Sequence, residues 1–526
     1  MRRLTWGLAA LVSVLAIPSP AQSETPSDRS PRVHVAGIAT AEPSGGPRST
    51  EVPRLTRAGS DMRSSPMGSG VSIPQGRGPL TPTVLPTPFD GVADLALVSP
   101  GDPTGALGVT NHLGAVNVHM TFYGRAGAQL FAPKRLRTLD DQLPSGVDDF
   151  DPKVFYDSYR QHFVLVFASA SNTQSFLSVV VIPEGSEGVT ADWCVLHMSG
   201  DQVSNNGKQL ADYPMVGFTE DRVTLTTNQF GYANAPFVGA FKYVQVVSFR
   251  KAQLYNCSVP VVPIKIFSQT QTKDPDGSQA FTIVPAISFG GAPTSQLMTS
   301  IDFNGSVGKL ILWRLKVVSG VLRLSRVSLG GGPMAYPPWG RQCGNAAGLN
   351  SKWDTGDLRL TSSFWDGGLG RLYATTAIQG NFGGGAAESV IRWWEVDPAA
   401  SLKNSFVTRK GAVGAPGRDA AWPSIATDGD GKLWVNYARA GAAECLAAYA
   451  GVTQPGTTVA ASVLIQTGSG RYEYGPGTER WGDFTAISRD PVDQTAMATY
   501  GAYPIADGGS SPTEVWQQVI ATLTDA

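Results

Sequence analysis

The sequence predicts an all-β protein built as a closed ring of seven four-stranded sheets. Its 526 residues include 60 Gly and 37 Pro but only 16% charged residues, which is typical of β proteins with many turns. A short phrase recurs in which Asp or Trp precedes an apolar strand, a tight turn and a second strand, as at Asp151-Pro152 and Trp481-Gly482. The copies restart roughly every 50 to 70 residues, enough for four strands and their loops. We therefore expect a seven-bladed β-propeller.

The repeats account for the chain from about residue 100 onward. In chain order they begin at or near Asp102, Asp151, Asp212, residue 284, Asp357, Trp422 and Trp481. The last repeat contains only three predicted strands, the final one at 513–522, and a lone apolar strand at 93–98 precedes the first repeat. We expect this lone strand to join the last sheet, because a closed ring removes open sheet edges. A parallel β-helix would need shorter, more even repeats, and a pair of β-sandwiches would need a linker near the middle of the chain.

The first 90 residues differ from the rest. Two arginines precede the apolar run 4–17, and small residues follow it, which predicts a secretory signal peptide over residues 1–21. Residues 22–90 are rich in Pro, Ser and Gly without a sustained period, which predicts a disordered leader, and residues 91–526 then form the propeller. We expect a secreted or periplasmic monomer. No further long apolar run follows, so no membrane insertion is expected once the signal is cleaved.

Charge and cysteine content narrow the classes of partner. A net charge of −1 and a pI near 6.5 provide no general attraction to nucleic acid. The four cysteines lack metal-binding spacing, and in an exported chain they can form one or two disulfides. Cys194 and Cys257 are the favoured pair because both fall late in consecutive repeats. For Cys343 and Cys445, a second disulfide and free thiols both stay open.

Several repeat starts resemble a known group of proteins. Residues 102–109 and 151–157, Asp212-Tyr213-Pro214 and the phrase Arg-Trp-Gly-Asp-Phe at 480–484 are similar to exported bacterial β-propellers of the sialidase-like (BNR-repeat-like) type. The resemblance covers about residues 100–526 and implies the propeller fold, and many members of the group have no assigned activity. The chain lacks the early Arg-Ile-Pro segment of sialidases, and residues 428–434 depart from the spacing of their Asp-box. The resemblance therefore implies the fold and not sialidase activity.

The repeat starts also carry the candidate functional residues. In a propeller the first strand of each blade lines the central channel, so residues at the beginning of those strands lie at one channel mouth. Carboxylates brought together raise one another's pKa, and two of them about 5 to 10 Å apart can supply the acid and base of glycoside hydrolysis. The catalytic candidates are Asp151, Asp212, Asp357 and Asp483. The ligand-binding candidates are Tyr213, Trp422, Trp481, Arg418 and Arg480.

Each of these residues also has a structural interpretation. An Asp at a strand start can cap a turn by accepting backbone N–H groups, and Trp and Tyr can pack between blades. Eight of the 12 tryptophans lie after residue 350, which fits either a sugar-stacking platform or blade packing. The five histidines lack zinc-binding spacing, so no metal or other cofactor is expected. A calcium ion held by channel carboxylates is left open.

These features favour an exported carbohydrate-active protein whose partner is an extracellular glycan or a cell-surface molecule. The specific hypothesis is a glycan hydrolase that acts through the channel carboxylates, and it rests on the predicted fold. The alternative is a non-catalytic binding or scaffold propeller that presents its loops to a protein or polysaccharide. In either case the loops 185–210 and 330–356 are candidate walls of a binding groove.

Overall fold

Strands form wherever β-branched and aromatic residues run together, as in His162–Ala170. The computed structural model of the protein describes residues 32–38, 80–96, 98–171, 173–203, 209–232, 241–291, 293–302, 308–331, 334–344, 352–382, 387–457, 460–473, 479–505 and 515–525. In these residues the strands build seven four-stranded blades around a central channel. The predicted all-β fold, a seven-bladed β-propeller, is confirmed.

The strands follow one another in the order of the blades. Two strands precede blade 1, namely β1 (Arg32–Ile38) and β2 (Pro82–Ala93). Blade 1 contains β3 (Thr104–Leu107), β4 (Asn111–Val116), β5 (His119–Gly124) and β6 (Lys134–Arg135). Blade 2 contains β7 (Asp148–Asp157), β8 (His162–Ala170), β9 (Ser175–Pro183) and β10 (Cys194–Ser199). Blade 3 contains β11 (Gln209–Phe218), β12 (Arg222–Gly231), β13 (Phe241–Arg250) and β14 (Val261–Phe267).

Blades 4 to 7 complete the ring. Blade 4 contains β15 (Val284–Pro285), β17 (Gln296–Asp302), β18 (Lys309–Val318) and β19 (Val321–Gly331), and β16 (Ile287–Phe289) pairs with blade 5 instead. A two-stranded ribbon precedes blade 5 and consists of β20 (Gly340–Arg341) and β21 (Lys352–Trp353). Blade 5 contains β22 (Ser362–Asp366), β23 (Arg371–Gly380), β24 (Glu388–Asp397) and β25 (Phe406–Val413). Blade 6 contains β26 (Arg418–Thr427), β27 (Leu433–Gly441), β28 (Glu444–Thr453) and β29 (Ala460–Thr467). Blade 7 contains β30 (Ala486–Arg489), β31 (Met497–Ile505) and β32 (Val515–Asp525), joined by β2.

In the part of the chain that the structure describes, helical structure is limited to single turns in the loops. They are 3₁₀ turns at Leu136–Leu139, Thr190–Asp192 and Leu402–Asn404 and an α-helical turn at Lys251–Leu254. Over the described ranges, no helix has the length and apolar character needed to cross a bilayer.

The last blade takes its fourth strand from residues that precede blade 1. The strand predicted at 93–98 is not confirmed, because Ala93 ends β2 and residues 94–96 lead out of the sheet. Instead β2 pairs antiparallel with β32, from Pro82 opposite Asp525 to Ala93 opposite Gln517. Prolines lack the N–H that a central strand must donate, and β2 accommodates them because it is an edge strand with two register shifts.

The strand β1 lies between two blades. It pairs in parallel with β10 of blade 2 on one side and with β14 of blade 3 on the other, so these blades share one continuous sheet. The segment 22–90, which the sequence predicted to be a disordered leader, contains β1 and the beginning of β2, which ends at Ala93. The predicted signal peptide, residues 1–21, lies outside the described residues.

A left-handed residue followed by proline recurs at the beginning of the inner strands. Asp102, Asp151, Tyr213 and Trp422 have φ angles of 46°, 51°, 55° and 57°, and each precedes a proline. Positive φ is uncommon for non-glycine residues. In blades 2, 3 and 6 the strand register shifts across this pair, since proline cannot donate to the ladder and a bulge forms. In these four blades, the left-handed residue and its proline mark the place where the inner strand begins at the channel mouth.

Two disulfides tie neighbouring parts of the ring together. Cys194 of β10 is bonded to Cys257, which confirms the pair that the sequence favoured and connects blade 2 to blade 3. Cys343 and Cys445 form the second bond, with Cα atoms 4.6 Å apart, and connect the loop before blade 5 to β28 of blade 6. All four cysteines are therefore oxidised.

Aromatic side chains fill the spaces between blades. Trp393 and Trp394 are neighbours on β24, so they point to opposite faces of blade 5. Trp393 packs with side chains of blade 6, and Trp394 packs with side chains of blade 4. Both are at most 1% exposed. The tryptophan-rich second half of the chain therefore serves mainly to pack blade against blade.

Candidate functional site

Carboxyl groups from several blades meet at one mouth of the channel. One carboxylate oxygen each from Asp102, Asp151 and Asp483 lies within 4.8 Å of the other two, although these residues belong to blades 1, 2 and 7. Asp212 of blade 3 is close enough for its charge to raise the pKa of Asp151. Asp102 and Asp151 are themselves left-handed residues, and Asp212 directly precedes the left-handed Tyr213. The predicted convergence of repeat starts is thus present for four blades.

A hydrogen-bonded relay connects these carboxyl groups around the ring. The backbone N–H of Asp483 donates to Asp102 Oδ1 over 2.6 Å, and the side-chain amide of Asn117 donates to Asp102 Oδ2 over 2.7 Å. The N–H of Asp151 donates to Asn117 Oδ1 over 2.8 Å, and the N–H of Tyr213 donates to Asp151 Oδ2 over 3.2 Å. Both oxygens of the fully buried Asp102 are therefore used by protein donors. Asp102 has the capping role that the structural interpretation predicted, whereas Asp151 has only one oxygen in the relay.

Burial shifts the protonation of the cluster. Desolvation, reinforced by the charge of Asp483, raises the pKa of Asp102 to about 7. Desolvation and the charges of Asp212 and Asp102 raise the pKa of Asp151 well above its usual range. Desolvation also raises the pKa of Asp212 to about 6, against the opposing effect of Arg359. Near neutral pH the mouth therefore holds protonated carboxyl groups that can donate a proton.

Arg359 and Arg480 at the mouth are already engaged with protein partners. Arg480 donates to Asp483 over 2.7 Å, and Arg359 forms an ion pair with Asp357 over 2.8 Å. Arg359 also lies 4.7 Å from the ring centre of Tyr213. The Asp357 carboxylate is 29% exposed and stands at the rim. These pairs reduce the positive charge that the mouth could offer to an anionic ligand.

Lys153 is a site residue that sequence reasoning missed. It lies two residues after Asp151 on β7, is 9% exposed, and its Nζ lies 3.1 Å from the ring centre of Phe484. Burial lowers its pKa to about 7, although the charges of Asp102 and Asp151 oppose that change. The sequence did offer a sign of it, because a lysine directly follows Asp151-Pro152 in an otherwise apolar strand.

The aromatic candidates of the repeat starts are buried. Tyr213 is 1% exposed, packs on Phe484 with ring centres 4.7 Å apart, and places its hydroxyl 3.4 Å from the carbonyl oxygen of Asp483. Trp422 donates its indole N–H to the carbonyl of Asp354, and Trp481 packs edge-on against Tyr472. None of the three exposes a ring face for stacking, so their placement favours packing between blades.

Arg418 does not join the acidic cluster in the contacts of the described residues. It is paired with Glu444 of β28, which also accepts a hydrogen bond from Arg439 over 2.9 Å. The turn at Asp428 likewise has a structural role. The Asp428 carboxylate caps the backbone N–H groups of Asp430 and Lys432, as expected of a tight turn between two strands.

Below the mouth, the inner strands of all seven blades enclose a small cavity. Its volume is about 70 Å³, and its lining includes Lys153, Thr104, Ser362 and Ser488. This space is large enough to hold water.

Fold and site together define a seven-bladed β-propeller with a buried acidic cluster at one channel mouth. No protein-family model matches the chain, and no curated protein matches its sequence. Solved structures with similarity to it include a protein of unknown function from Dyadobacter fermentans, with 11% identity and a TM-score of 0.38 over 72% of this chain and 100% of that one. Trypanosoma rangeli sialidase in complex with the inhibitor DANA has 9% identity and a TM-score of 0.35 over 76% of this chain and 57% of that one.

A further similar structure is the GH93 alpha-L-arabinofuranosidase of Fusarium graminearum in complex with arabinobiose. It has 10% identity and a TM-score of 0.36 over 82% of this chain and 98% of that one. At such low identity and similarity, no residue role is transferred from these proteins. The assignment of the fold depends on the seven sheets themselves.

Proposed function

We propose that this protein is an exported, carbohydrate-active propeller that hydrolyses a glycan at its acidic channel mouth. The observation that carries the proposal is the convergence of carboxyl groups from four blades, three of them with oxygens within 4.8 Å of one another. Carboxyl groups about 5 to 5.5 Å apart are the arrangement of glycosidases that retain the anomeric configuration. Protein interiors rarely hold several carboxyl groups this close, because each one is costly to bury in its charged form.

In the proposed reaction Asp151 is the general acid and Asp483 the nucleophile. Asp151 is suited to hold a proton near neutral pH, since burial and the charge of Asp212 raise its pKa. Its carboxyl proton passes to the glycosidic oxygen as that oxygen leaves the anomeric carbon. The Asp483 carboxylate, oriented by Arg480 and 14% exposed, bonds to the same carbon. Asp151 then takes a proton from water, and this water releases the sugar from Asp483.

The remaining candidates support these two groups. Asp212 helps to keep Asp151 protonated, and Asp357 together with Arg359 forms a rim that orients sugar hydroxyl groups. Lys153 lies beside the carboxyl groups and balances the negative charge that develops when Asp151 loses its proton. Calcium at the three carboxylates is the competing use of the same cluster, and adding the ion to the purified protein tests it.

Export is supported by two features. The chain begins with the charged and apolar pattern of a secretory signal, and all four cysteines form disulfides, which persist in oxidising compartments. The substrate is then an extracellular or cell-surface glycan. The mouth is built from blades of one chain, so the proposed activity requires no second copy.

A screen of glycan hydrolysis with the purified protein tests the proposal. We expect Asp151→Asn and Asp483→Asn each to lower kcat by about 10²-fold to 10⁴-fold, the contribution of a positioned acid or base. Asp141→Asn is the matched control, since Asp141 is exposed on a loop of blade 1. Circular dichroism and Tm establish that the variants are folded. Full activity in either site variant contradicts the assigned roles, and binding of glycans without any turnover favours a non-catalytic binding propeller.

A further inference from the structure

One loop beside the mouth exposes two large aromatic side chains. Trp339 is 59% exposed and Tyr336 is 47% exposed. Of the 12 tryptophans only Trp6 lies outside the described residues, and among the other 11 Trp339 alone is exposed. Aromatic rings are a large apolar surface that folding normally buries. Trp339 thus differs from the tryptophans that pack the blades.

The loop that carries these rings is anchored along its length. The carbonyl of Ala335 accepts the N–H of Gln379 over 3.0 Å, and the carbonyl of Pro338 accepts the hydroxyl of Thr355 over 2.6 Å. Beyond Trp339 the chain forms β20, which pairs with β21, and the Cys343–Cys445 disulfide joins the loop to blade 6. A rigid loop loses little conformational freedom when a ligand binds to it. The two rings are therefore presented to solvent on a fixed support.

The rings stand at the edge of the acidic mouth. The charge of Asp357 contributes to raising the pKa of Tyr336 above its usual value, after desolvation. Thr355 donates a hydrogen bond to the carbonyl of Pro338 in the aromatic loop. The neighbouring residue, Asp354, lies close enough to Arg480 and Asp483 for their charges to affect its pKa. A sugar chain that places one unit at the carboxyl groups can therefore extend across Tyr336 and Trp339.

The charges at the mouth select among glycans. A sugar carboxylate placed there would face the charged carboxylates of Asp212 and Asp483, and the arginines that could bind it are paired with Asp483 and Asp357. Arg341, the arginine of the aromatic loop, is also engaged, with two hydrogen bonds to Asp419 over 2.7 and 3.2 Å. An uncharged sugar meets no such repulsion, and its C–H faces pack on aromatic rings. The mouth therefore disfavours acidic sugars.

We propose that Trp339 and Tyr336 form a stacking subsite for an uncharged glycan chain of several sugar units, next to the carboxyl groups that cut it. This inference rests on the proposed function, because it assigns the substrate class of the same mouth. The glycan chain lies across the surface of the mouth and is held by its flanking units.

Calorimetric binding tests the subsite separately from catalysis. The Asp151→Asn protein is titrated with neutral hexasaccharides (cellohexaose, xylohexaose, arabinohexaose and chitohexaose) and with hexagalacturonate as the acidic probe. In this background we expect Trp339→Ala to weaken binding of the preferred neutral probe about 10-fold or more, equal to about 1.4 kcal/mol, and Tyr336→Ala to weaken it less. Trp339→Phe retains most of the affinity, since it keeps a ring. Phe406→Ala is the control, because Phe406 is an exposed aromatic residue on β25, 54% exposed.

The outcomes distinguish the subsite from the hydrolase. Equal affinity of the Trp339→Ala and parent proteins overturns the subsite, as does tightest binding of hexagalacturonate or binding of none of the probes. Turnover that proceeds with unchanged KM in Trp339→Ala leaves the hydrolase standing and removes the subsite. Neutral glycan binding that depends on Trp339, without turnover by the wild-type protein, supports the subsite and overturns the hydrolase.

Discussion

Blades 2 and 6 begin with the same backbone and different side chains. Asp151 and Trp422 both have a left-handed φ, both precede proline, and both lie at a bulge of the inner strand. The Asp151 carboxylate accepts the N–H of Tyr213 from the next blade. Trp422 donates its indole N–H to Asp354 of the preceding blade and covers Gly356, where an added Cβ would lie 2.7 Å from the indole ring. The same left-handed residue before proline thus joins neighbouring blades through a carboxylate in blade 2 and through an indole in blade 6.

The side chain at the start of an inner strand decides whether that blade can contribute a chemical group to the channel mouth. The indole N–H of Trp422 is hydrogen-bonded and its ring is buried away from water. Trp422 therefore contributes only to packing. The Asp151 carboxyl group keeps a second oxygen and a titratable proton at the channel mouth. The aspartates of neighbouring blades raise its pKa. The acidic sector of blades 1, 2, 3 and 7 is therefore the part of the mouth that can carry chemistry, and the sector of blades 5 and 6 supports it.

The largest effect is expected from removing the indole of blade 6. Trp422→Ala deletes a ring that is 4% exposed and leaves a cavity between inner strands, which costs about 3 to 5 kcal/mol of unfolding free energy. Denaturant unfolding followed by intrinsic fluorescence measures this loss. The exposed Trp339→Ala is the control and should change the stability by less than about 0.5 kcal/mol. Similar stability of the two variants would show that Trp422 does not hold the blades together.

A smaller, pH-dependent effect is expected from the acidic sector. Burial raises the pKa of Asp102 from 3.8 to about 7, so the folded protein binds this proton more tightly than the unfolded chain does. The stability from this group is complete below about pH 4 and is lost as the pH rises towards 7, by up to about 1.4 kcal/mol per pH unit. Asp102→Asn cannot titrate. The stability of the variant relative to the wild type should therefore increase between pH 4 and pH 6.5.

The measurement is the unfolding free energy of both proteins at several pH values in that window. It stops at pH 6.5 because Lys153, whose pKa burial lowers to about 7, begins to titrate above it. Asp483, Asp151 and Arg480 also face Asp102 and are present in both proteins, so the difference between them reports the Asp102 carboxyl together with its effect on the pKa of Asp151. Asp141→Asn serves as the exposed control and should give a constant difference. A constant difference for Asp102→Asn as well would mean that its carboxyl is not desolvated.

The smallest effect is expected at Tyr213, an aromatic residue at the start of an inner strand in the acidic sector. Its hydroxyl makes one long contact, 3.4 Å from the carbonyl oxygen of Asp483, while its ring packs on Phe484. Tyr213→Phe keeps the ring, so we expect a loss of about 0.5 kcal/mol, near the lower limit for a hydrogen bond. Thermal unfolding detects a change of this size. A loss of several kcal/mol would indicate that the hydroxyl participates in the relay of the acidic cluster.

Local patterns predicted most of the fold and part of the site. Strand composition and the spacing of the repeat starts predicted seven blades, and three of those starts, Asp151-Pro152, Asp212-Tyr213 and Trp481-Gly482-Asp483, identified Asp151, Asp212 and Asp483 as neighbours at the mouth. The closing strand was misplaced because β2 is rich in proline, which argues against a strand unless that strand lies at a sheet edge. The ion pair of Arg418 was not predicted, because its partner Glu444 comes from a different strand of the same blade.

The sequence by itself determined the repeat, the strands and the residue type at each blade start, because these depend on periodicity and on proline within a few residues. Only the tertiary structure decided which side chains are buried and charged together. Lys153 enters the acidic cluster, and Trp339 remains exposed, through contacts with segments far away in the chain. Burial and proximity depend on how the blades close around the channel, and no local pattern contains that information.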